Sequence, residues 1–316
     1  MSEQVCAIIV LPRLRIQNAN IISSPITWGF PSVTAVLGFM HALERKMRSV
    51  SNLRFTAVGI VSHRFQPQVY GQYEKRFSLT RNPIKKDGGS PSLVEEGRGH
   101  LEISLILKGE GEAFNAGEAD LKKLASAIEQ TAQTLRFAGG SILPTMNQGW
   151  RYQPVVEQWA NDSDSRVKTT KKLRRLIMPG FSLINREDLL LETTQVLKEK
   201  NLQATHFDSL LECIAIHHQP IITTSEDVEK VTWQIRKKQG WIVPITIGYQ
   251  AISPLYEAGS VENVRDTTVP VRFVENIYSL GEWLSPHRVD NLEQLFWRFD
   301  YQQTENGIYR CINQFK

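Results

Sequence analysis

Residues 5–11, Val5-Cys6-Ala7-Ile8-Ile9-Val10-Leu11, form an unbroken apolar run rich in β-branched side chains, the pattern of a strand buried on both faces. Behind it the chain turns polar from Pro12 to Trp28, with Arg13, Arg15, Gln17, Asn18, Asn20, Ser23 and Ser24 and few turn glycines. Ser32 then precedes Val33, Val36, Leu37, Met40, Leu43 and Met47. That spacing predicts a helix with Ser32 as N-cap and Arg45, Lys46 and Arg48 in its last turn. Residues 54–63 and 101–107 read as strands, and 73–79 as one arm of a hairpin leading to the turn-prone Asn82-Pro83 and Asp87-Gly88-Gly89. A second helical spacing, Leu121, Leu124, Ile128, Ala132 and Leu135, is closed by Gly139-Gly140 before a short strand at 141–144.

The first half therefore reads strand, helix, strand, strand, helix, strand, which is the order of the split β-α-β unit of ferredoxin-like and RRM-like folds. From about 155 to 218 the chain becomes charged, Leu-rich and helix-periodic, with Leu189, Leu190, Val196 and Leu197 followed by Phe207, Leu210, Leu211 and Ile214. Residues 223–229 are polar and acidic, as a hinge would be, and β-rich composition returns at 241–255 and 268–278. The expectation is an α+β chain whose RRM-like core takes in 1–145 and 223–316, with a helical insertion at 146–222.

Composition narrows the class. The 316 residues are 41% hydrophobic and 22% charged, as in ordinary globular chains, and a net charge of +4 is only mildly basic. Cys6, Cys213 and Cys311 are odd in number and far apart, which fits a reducing compartment and no structural zinc. Met1-Ser2-Glu3-Gln4 carries no cationic leader, and no apolar run approaches the roughly 20 residues of a bilayer span, so a cytoplasmic protein is expected.

P-loop, dinucleotide, zincin and α/β-hydrolase motifs are absent, and the adjacent His217-His218 is not a metal-ligand spacing. The richest segment is 13–32, a set of donors and cations feeding a helix N-terminus, with Trp28 and Phe30 as stacking faces. It suits RNA, with Arg13 and Arg15 on phosphates and Gln17, Asn18 and Asn20 on bases; the residues alone favour an ordered loop whose Asn and Ser bond their own backbone. A second set, His63, Arg64, Lys75, Arg76, Arg81, Lys85 and Lys86, is interleaved with Phe65, Tyr70, Tyr73 and Phe77, as a nucleic-acid-binding hairpin or a charged edge would be. A third, Arg166, Lys168, Lys171, Lys172, Arg174 and Arg175, either tracks phosphates or is a solvated helix face. Gly139-Gly140 permits a close approach by a strand or a phosphate chain. Near the C-terminus, 272–276 and 281–288 join apolar anchors to isolated polar groups, a composition that fits a core with an interface edge.

The runs 11–20, Ser23-Ser24-Pro25, Thr27-Trp28-Gly29-Phe30-Pro31-Ser32, Val58-Gly59-Ile60-Val61, His63-Arg64-Phe65 and Leu79-Thr80-Arg81-Asn82-Pro83 resemble one known family. So do Glu95-Glu96-Gly97-Arg98, Ala138-Gly139-Gly140-Ser141, Pro179-Gly180-Phe181, Arg272-Phe273-Val274-Glu275-Asn276 and residues 281–289. Together they are similar to the second-subunit family of the Csy complex, the type I-F CRISPR surveillance complex. The resemblance is weakest at 155–174 and 223–231.

This resemblance implies an RRM-like backbone protein of the RAMP superfamily that holds the 5′ handle of the CRISPR RNA and pairs with the large subunit. It would lie next to the repeated backbone subunit in a complex that binds target DNA as a whole. No catalytic residue, metal or cofactor is expected. The anticipated RNA contacts are Arg13, Arg15, Gln17, Asn18, Asn20, Ser23, Trp28, Arg64, Arg76, Arg81, Gly139 and Gly140, and the anticipated protein contacts are Arg272, Trp283 and Arg288. The competing reading is a metal-independent endoribonuclease that processes CRISPR RNA, for which His63, Tyr73 and Lys75 are the best trio available. A DNA-binding regulator would need a helix-turn-helix, and none is legible.

Overall fold

The computed structural model describes residues 5–147, 149–160, 162–225, 228–236, 238 and 240–315; Met1 to Gln4 lie outside it. The N-terminal apolar run is a strand, but that strand continues past the last apolar residue. β1 spans Cys6–Asn20, so much of the polar stretch lies in the sheet. Two bulges hold it there, between Leu11 and Leu14 and between Ile16 and Ala19. Arg13 (φ +50°) and Asn18 (φ +59°) take left-handed backbone at these points. A small hairpin of β2 (Ile22–Ser24) and β3 (Thr27–Trp28) leads to α1 (Val33–Met47), where the Ser32 hydroxyl accepts the Ala35 N–H at 3.3 Å, as the sequence predicts. Val33, Val36, Leu37, Met40, Leu43 and Met47 are all buried on its inner face. Each contributes about 1.5–3 kcal/mol relative to exposure.

Next come β4 (Arg54–Pro67), β5 (Val69–Tyr70), β6 (Arg76–Arg81), β7 (Leu93–Glu96) and β8 (Arg98–Glu110), followed by α2 (Glu118–Gln133), β9 (Arg136–Phe137) and β10 (Gly140–Leu143). Strands β4, β8, β1, β10 and β9 lie in that order, all antiparallel, while β5, β6 and β7 form a separate three-stranded sheet. Ile9, Leu11, Val58, Ile60, Leu105 and Leu107 pack with α1 and α2 in one core. The alternate residues Ile8, Val10, Ala57, Val61 and Ile106 belong to a second core on the opposite face, so this part of the sheet is dry on both sides.

The segment 146–222 contains three helices, α3 (Ser163–Ile177), α4 (Glu187–Lys200) and α5 (His206–Ile214), but also β11 (Val155–Gln158) and β12 (Phe181–Asn185). β11 pairs with β1, and β12 pairs with β4, so the segment is woven into the main sheet. Strands of four or five residues between charged helices leave no period to read. Leu173, Leu176 and Ile177 of α3, with Leu292, Leu295 and Phe296, seal the second face.

β13 (His218–Ser225) and β14 (Val228–Ile235) form a two-stranded ribbon over most of the expected hinge; Glu226 and Asp227 lie outside the described residues. The C-terminal β-rich part returns to the sheet as β15 (Ile242–Ala251), β16 (Val274–Leu284), β17 (Phe296–Phe299) and β18 (Ile308–Asn313).

β4 gives one edge to β8 along its length and divides the other between β17, at Val58 and Gly59, and β12, at Val61 and Ser62. Because β12 continues through β16, β15 and β18 to β17, six strands close into a ring. The fully buried Trp297 donates its indole N–H to the Leu183 carbonyl at 2.8 Å, bracing β17 against β12. Among the described residues, no helix is long and apolar enough to cross a membrane and no group of three or more His, Cys, Asp or Glu could hold a metal.

Candidate nucleic-acid interface

The face sealed by α3 opens at the far ends of β1, β4 and β8. There its apolar residues give way to polar ones, and the register lines them up in rows. Leu143, Arg15, Glu102 and Arg64 are consecutive cross-strand partners on β10, β1, β8 and β4. The next row brings Ser141 opposite Gln17 and His100 opposite Gln66. Arg15, Gln17, Arg64, Gln66, His100 and Glu102 line a cleft of about 280 Å³.

Behind the rows lies a buried polar knot that fixes both bulges. The Arg13 N–H, displaced from the ladder by the first bulge, donates to the Ser104 hydroxyl at 3.0 Å. Its guanidinium bonds Glu102 at 2.7 Å and the Met178 carbonyl at 3.3 Å, and it lies 5.7 Å from the centre of the Tyr152 ring. Arg13 is therefore consumed by the fold, with its Nε buried and unpartnered. Glu102 is spent on Arg13, so neither Arg15 nor Arg64 has an ion-pair partner among the described residues.

His63 completes the knot, with Nδ1 2.6 Å from the Pro179 carbonyl and Nε2 2.6 Å from Ser104 Oγ. A carbonyl can only accept, so Nδ1 carries a proton, and in the neutral ring Nε2 accepts from the serine hydroxyl. Burial pushes its pKa down; the Pro179 bond opposes that shift, and the Arg13 charge adds to it. The unfolded chain then binds the proton more readily than the folded one, so stability rises with pH. This contribution is whole above an ordinary histidine pKa of about 6.5 and is lost as the pH falls through that value toward the depressed one. The melting temperature is expected to drop as the pH is lowered from about 7 through the ordinary histidine value of about 6.5. His63→Asn should flatten part of the drop, His41 being depressed in the same direction, again chiefly by burial.

The remaining anticipated contacts divide by geometry. Asn18 donates its backbone N–H to His100 Nδ1 at 3.3 Å and accepts Gln68 Nε2 on its side chain at 2.6 Å; the second bulge thus uses the groups expected to read a base. Asn20 Oδ1 caps the Ile22 N–H at 3.0 Å, and the Ser23 hydroxyl donates to the Thr27 carbonyl at 3.2 Å across the small hairpin. These are the local backbone bonds that the residues alone favour. Gly139 (φ +78°) follows Ala138 (φ +46°) in the β9–β10 turn, while a Cβ on Gly140 would lie 2.7 Å from Ala19 N and Gln17 O. The close approach is to β1.

Arg76 is exposed and pairs with Glu74 at 2.9 Å. Arg81 donates to Ser90 and shares a second cleft, of about 390 Å³, with Asn18, Gln68 and Arg98. Trp28 is half exposed, edge-on to Phe77 at 5.2 Å. It lines an aromatic cavity of about 250 Å³ with Phe30, Phe65, Phe181, Trp241 and Trp283. Trp283 therefore sits edge-on to Phe30 at 4.9 Å within that cavity, Arg272 is half-buried beside Gly307, and Arg288 is exposed. Sequence reading missed Gln66, His100 and Glu102. The signal for the last two was present in β8, where His100, Glu102 and Ser104 alternate with Leu101, Ile103 and Leu105.

The model of the CRISPR-associated Csy2 family matches residues 9–311, a span that contains every residue of the cleft and the knot. The chain belongs to the Csy2 family. It is also 44% identical over 311 residues to the CRISPR-associated protein Csy2 of Pseudomonas aeruginosa (strain UCBPP-PA14), an alignment covering 96% of this chain and 94% of that protein. As a Csy2-family member it is a subunit of a type I-F CRISPR Csy complex. The match runs through 155–174 and 223–231, where the residues themselves resembled the family least.

Proposed function

We propose that this Csy2-family chain is a noncatalytic RNA-binding subunit that holds the 5′ handle of the CRISPR RNA and pairs with the large subunit of the complex, next to its repeated backbone subunit. The observation that carries the RNA reading is the open end of the sheet, where Arg15 and Arg64 stand on either side of Glu102 without an ion-pair partner among the described residues, with Gln17 and Gln66 beside them. Two such guanidinium groups over a row of amides offer phosphate contacts and hydrogen bonds to exposed base edges, the combination by which single-stranded RNA is held.

The order β4-β8-β1-β10, with α1 and α2 on one face, supports an RRM-like core. The opposite face is covered by α3 over most of its length, so RNA would use only its open end. The endoribonuclease reading is less favoured. Both ring nitrogens of His63 are engaged, Tyr73 is fully exposed in the turn between β5 and β6, and Lys75 bonds the Gly71 carbonyl. A general base needs a free nitrogen within reach of the 2′-hydroxyl.

The test is to assemble the chain with the large subunit and CRISPR RNA carrying 4-thiouridine in the handle, map the crosslinks, and incubate the chain alone with repeat RNA. Crosslinks to peptides containing Arg15 or Arg64, without cleavage, are expected. Specific cleavage abolished by His63→Ala would overturn the noncatalytic reading, and handle crosslinks confined to other subunits would overturn the RNA reading.

A further inference from the structure

Six cations crowd the sequence of α3, and the structure sorts them. Arg166 lies 5.5 Å from the Trp159 ring centre and donates to the Ala160 carbonyl at 2.8 Å. Lys172 pairs with Glu157 at 2.5 Å, and Arg174 donates to the Val289 carbonyl at 2.9 Å. These three hold the helix to the body. Lys168, Lys171 and Arg175 remain exposed, with no ion-pair partner among the described residues. Spaced i, i+3 and i+7, they form one stripe along the outer face of α3.

The stripe runs into a groove of about 460 Å³ lined by Trp150, Arg151, Lys171, Arg174, Arg175 and Met178, with no carboxylate among them. Trp150 is 57% exposed although the Arg151 guanidinium lies 5.3 Å from its ring centre. A large indole left open beside four cations is costly in water and useful only to a ligand that is both anionic and flat.

The groove adjoins the open end of the sheet, and Arg13 marks the junction. Its one guanidinium touches Glu102 in the cleft, the Met178 carbonyl at the end of α3 and the ring of Tyr152, two residues from Trp150. We infer that a single-stranded RNA leaving the Arg15–Arg64 row continues into this groove, with its phosphates on Arg151, Lys168, Lys171 and Arg175 and one base stacked on Trp150. The inference rests on the RNA-binding reading above and extends it to a second site. Single-stranded RNA is favoured over duplex DNA because Trp150 can stack only on a base that is not already paired.

The experiment uses the full-length chain and fluorescein-labelled oligouridylates of about six and about fourteen nucleotides, lengths that fit one stacking site and an extended one, with a DNA duplex of the longer length as control. Anisotropy titrations at rising salt give affinity and slope. The longer RNA is expected to bind more tightly than the shorter. Lys168→Gln/Lys171→Gln/Arg175→Gln should weaken only the longer RNA and reduce its log-log salt slope by about 2, from about 0.7 per phosphate. Trp150→Ala should weaken it by roughly 5- to 150-fold, the range for one lost stacking contact. All four residues are exposed, and unchanged circular-dichroism melting verifies the variants; should the triple variant unfold, Trp150→Ala and Lys171→Gln carry the test.

Equal affinity for the two RNA lengths, an unaffected triple variant, or duplex DNA bound as tightly as the longer RNA would overturn the groove while leaving the sheet-end reading standing. No binding of either RNA would overturn both.

Discussion

Trp297→Ala is expected to lower the unfolding free energy by about 3–5 kcal/mol, read as a shift in the urea midpoint at unchanged slope. The side chain is fully buried, and its indole N–H is bonded to the Leu183 carbonyl at 2.8 Å, so the substitution removes a large apolar volume and leaves that acceptor without this donor. Against a total of about 5–15 kcal/mol for a typical chain, such a loss approaches unfolding. Trp297→Phe separates the two causes: most of the volume stays, and the cost falls to about 1–3 kcal/mol for the lost bond and the small residual void. The consequence reaches the RNA surface through the chain. Leu183 lies on β12, Pro179 stands just before that strand, and its carbonyl holds His63. A loosened β17–β12 brace therefore loosens the knot that aims β1 and β4.

The second expected result concerns affinity. Arg15→Gln/Arg64→Gln should weaken binding of handle RNA by about 10- to 100-fold and lower the log-log salt slope by about 1.4, two phosphates at about 0.7 each, with no change in melting temperature. Both side chains are exposed and carry no ion pair among the described residues, so their removal costs the fold nothing. Arg13→Gln makes the contrast. It breaks the bond to Glu102 and the bond to the Met178 carbonyl, and should cost about 1–3 kcal/mol of stability, since Glu102 would be left half-buried without its partner. Arg13 and Arg15 lie two residues apart in β1, and Arg64 lies across β8 on β4, yet one reports on folding and two on RNA. A double variant that bound RNA with unchanged affinity and slope would remove the sheet end from the RNA path.

The elements with a clean period were legible in the sequence. Ser32 and the spacing from Val33 to Met47 placed α1 with its cap, and the apolar residues of β1, β4 and β8 placed the central strands. Extended polar strands were not. Residues 12–20 look like a loop because a bulge shifts the inward positions by one, so the period of two breaks where Arg13 and Asn18 turn left-handed. The C-terminal β-rich stretch was expected at 268–278, whereas β16 occupies Val274–Leu284, because its apolar residues answer to neighbours β12 and β15 rather than to a local turn signal.

By itself the sequence determined the α+β composition, the order of the first-half elements, the family resemblance later matched over residues 9–311, and the pool of cations and amides from which any RNA surface must be drawn. Which members of that pool are free was decided only by tertiary structure. Arg13 and Arg15 are alike in the sequence, and nothing local tells them apart. Glu102 has one carboxylate and sits between three arginines; the bulge turns Arg13 inward onto it and leaves Arg15 and Arg64 outside. The same holds for α3, where Glu157 on β11 and the Val289 carbonyl, 115 residues from Arg174, claim Lys172 and Arg174 and leave Lys168, Lys171 and Arg175 open. Charge is a property of residue type and can be counted along a chain, whereas its neutralisation depends on which partner the fold brings within about 4 Å.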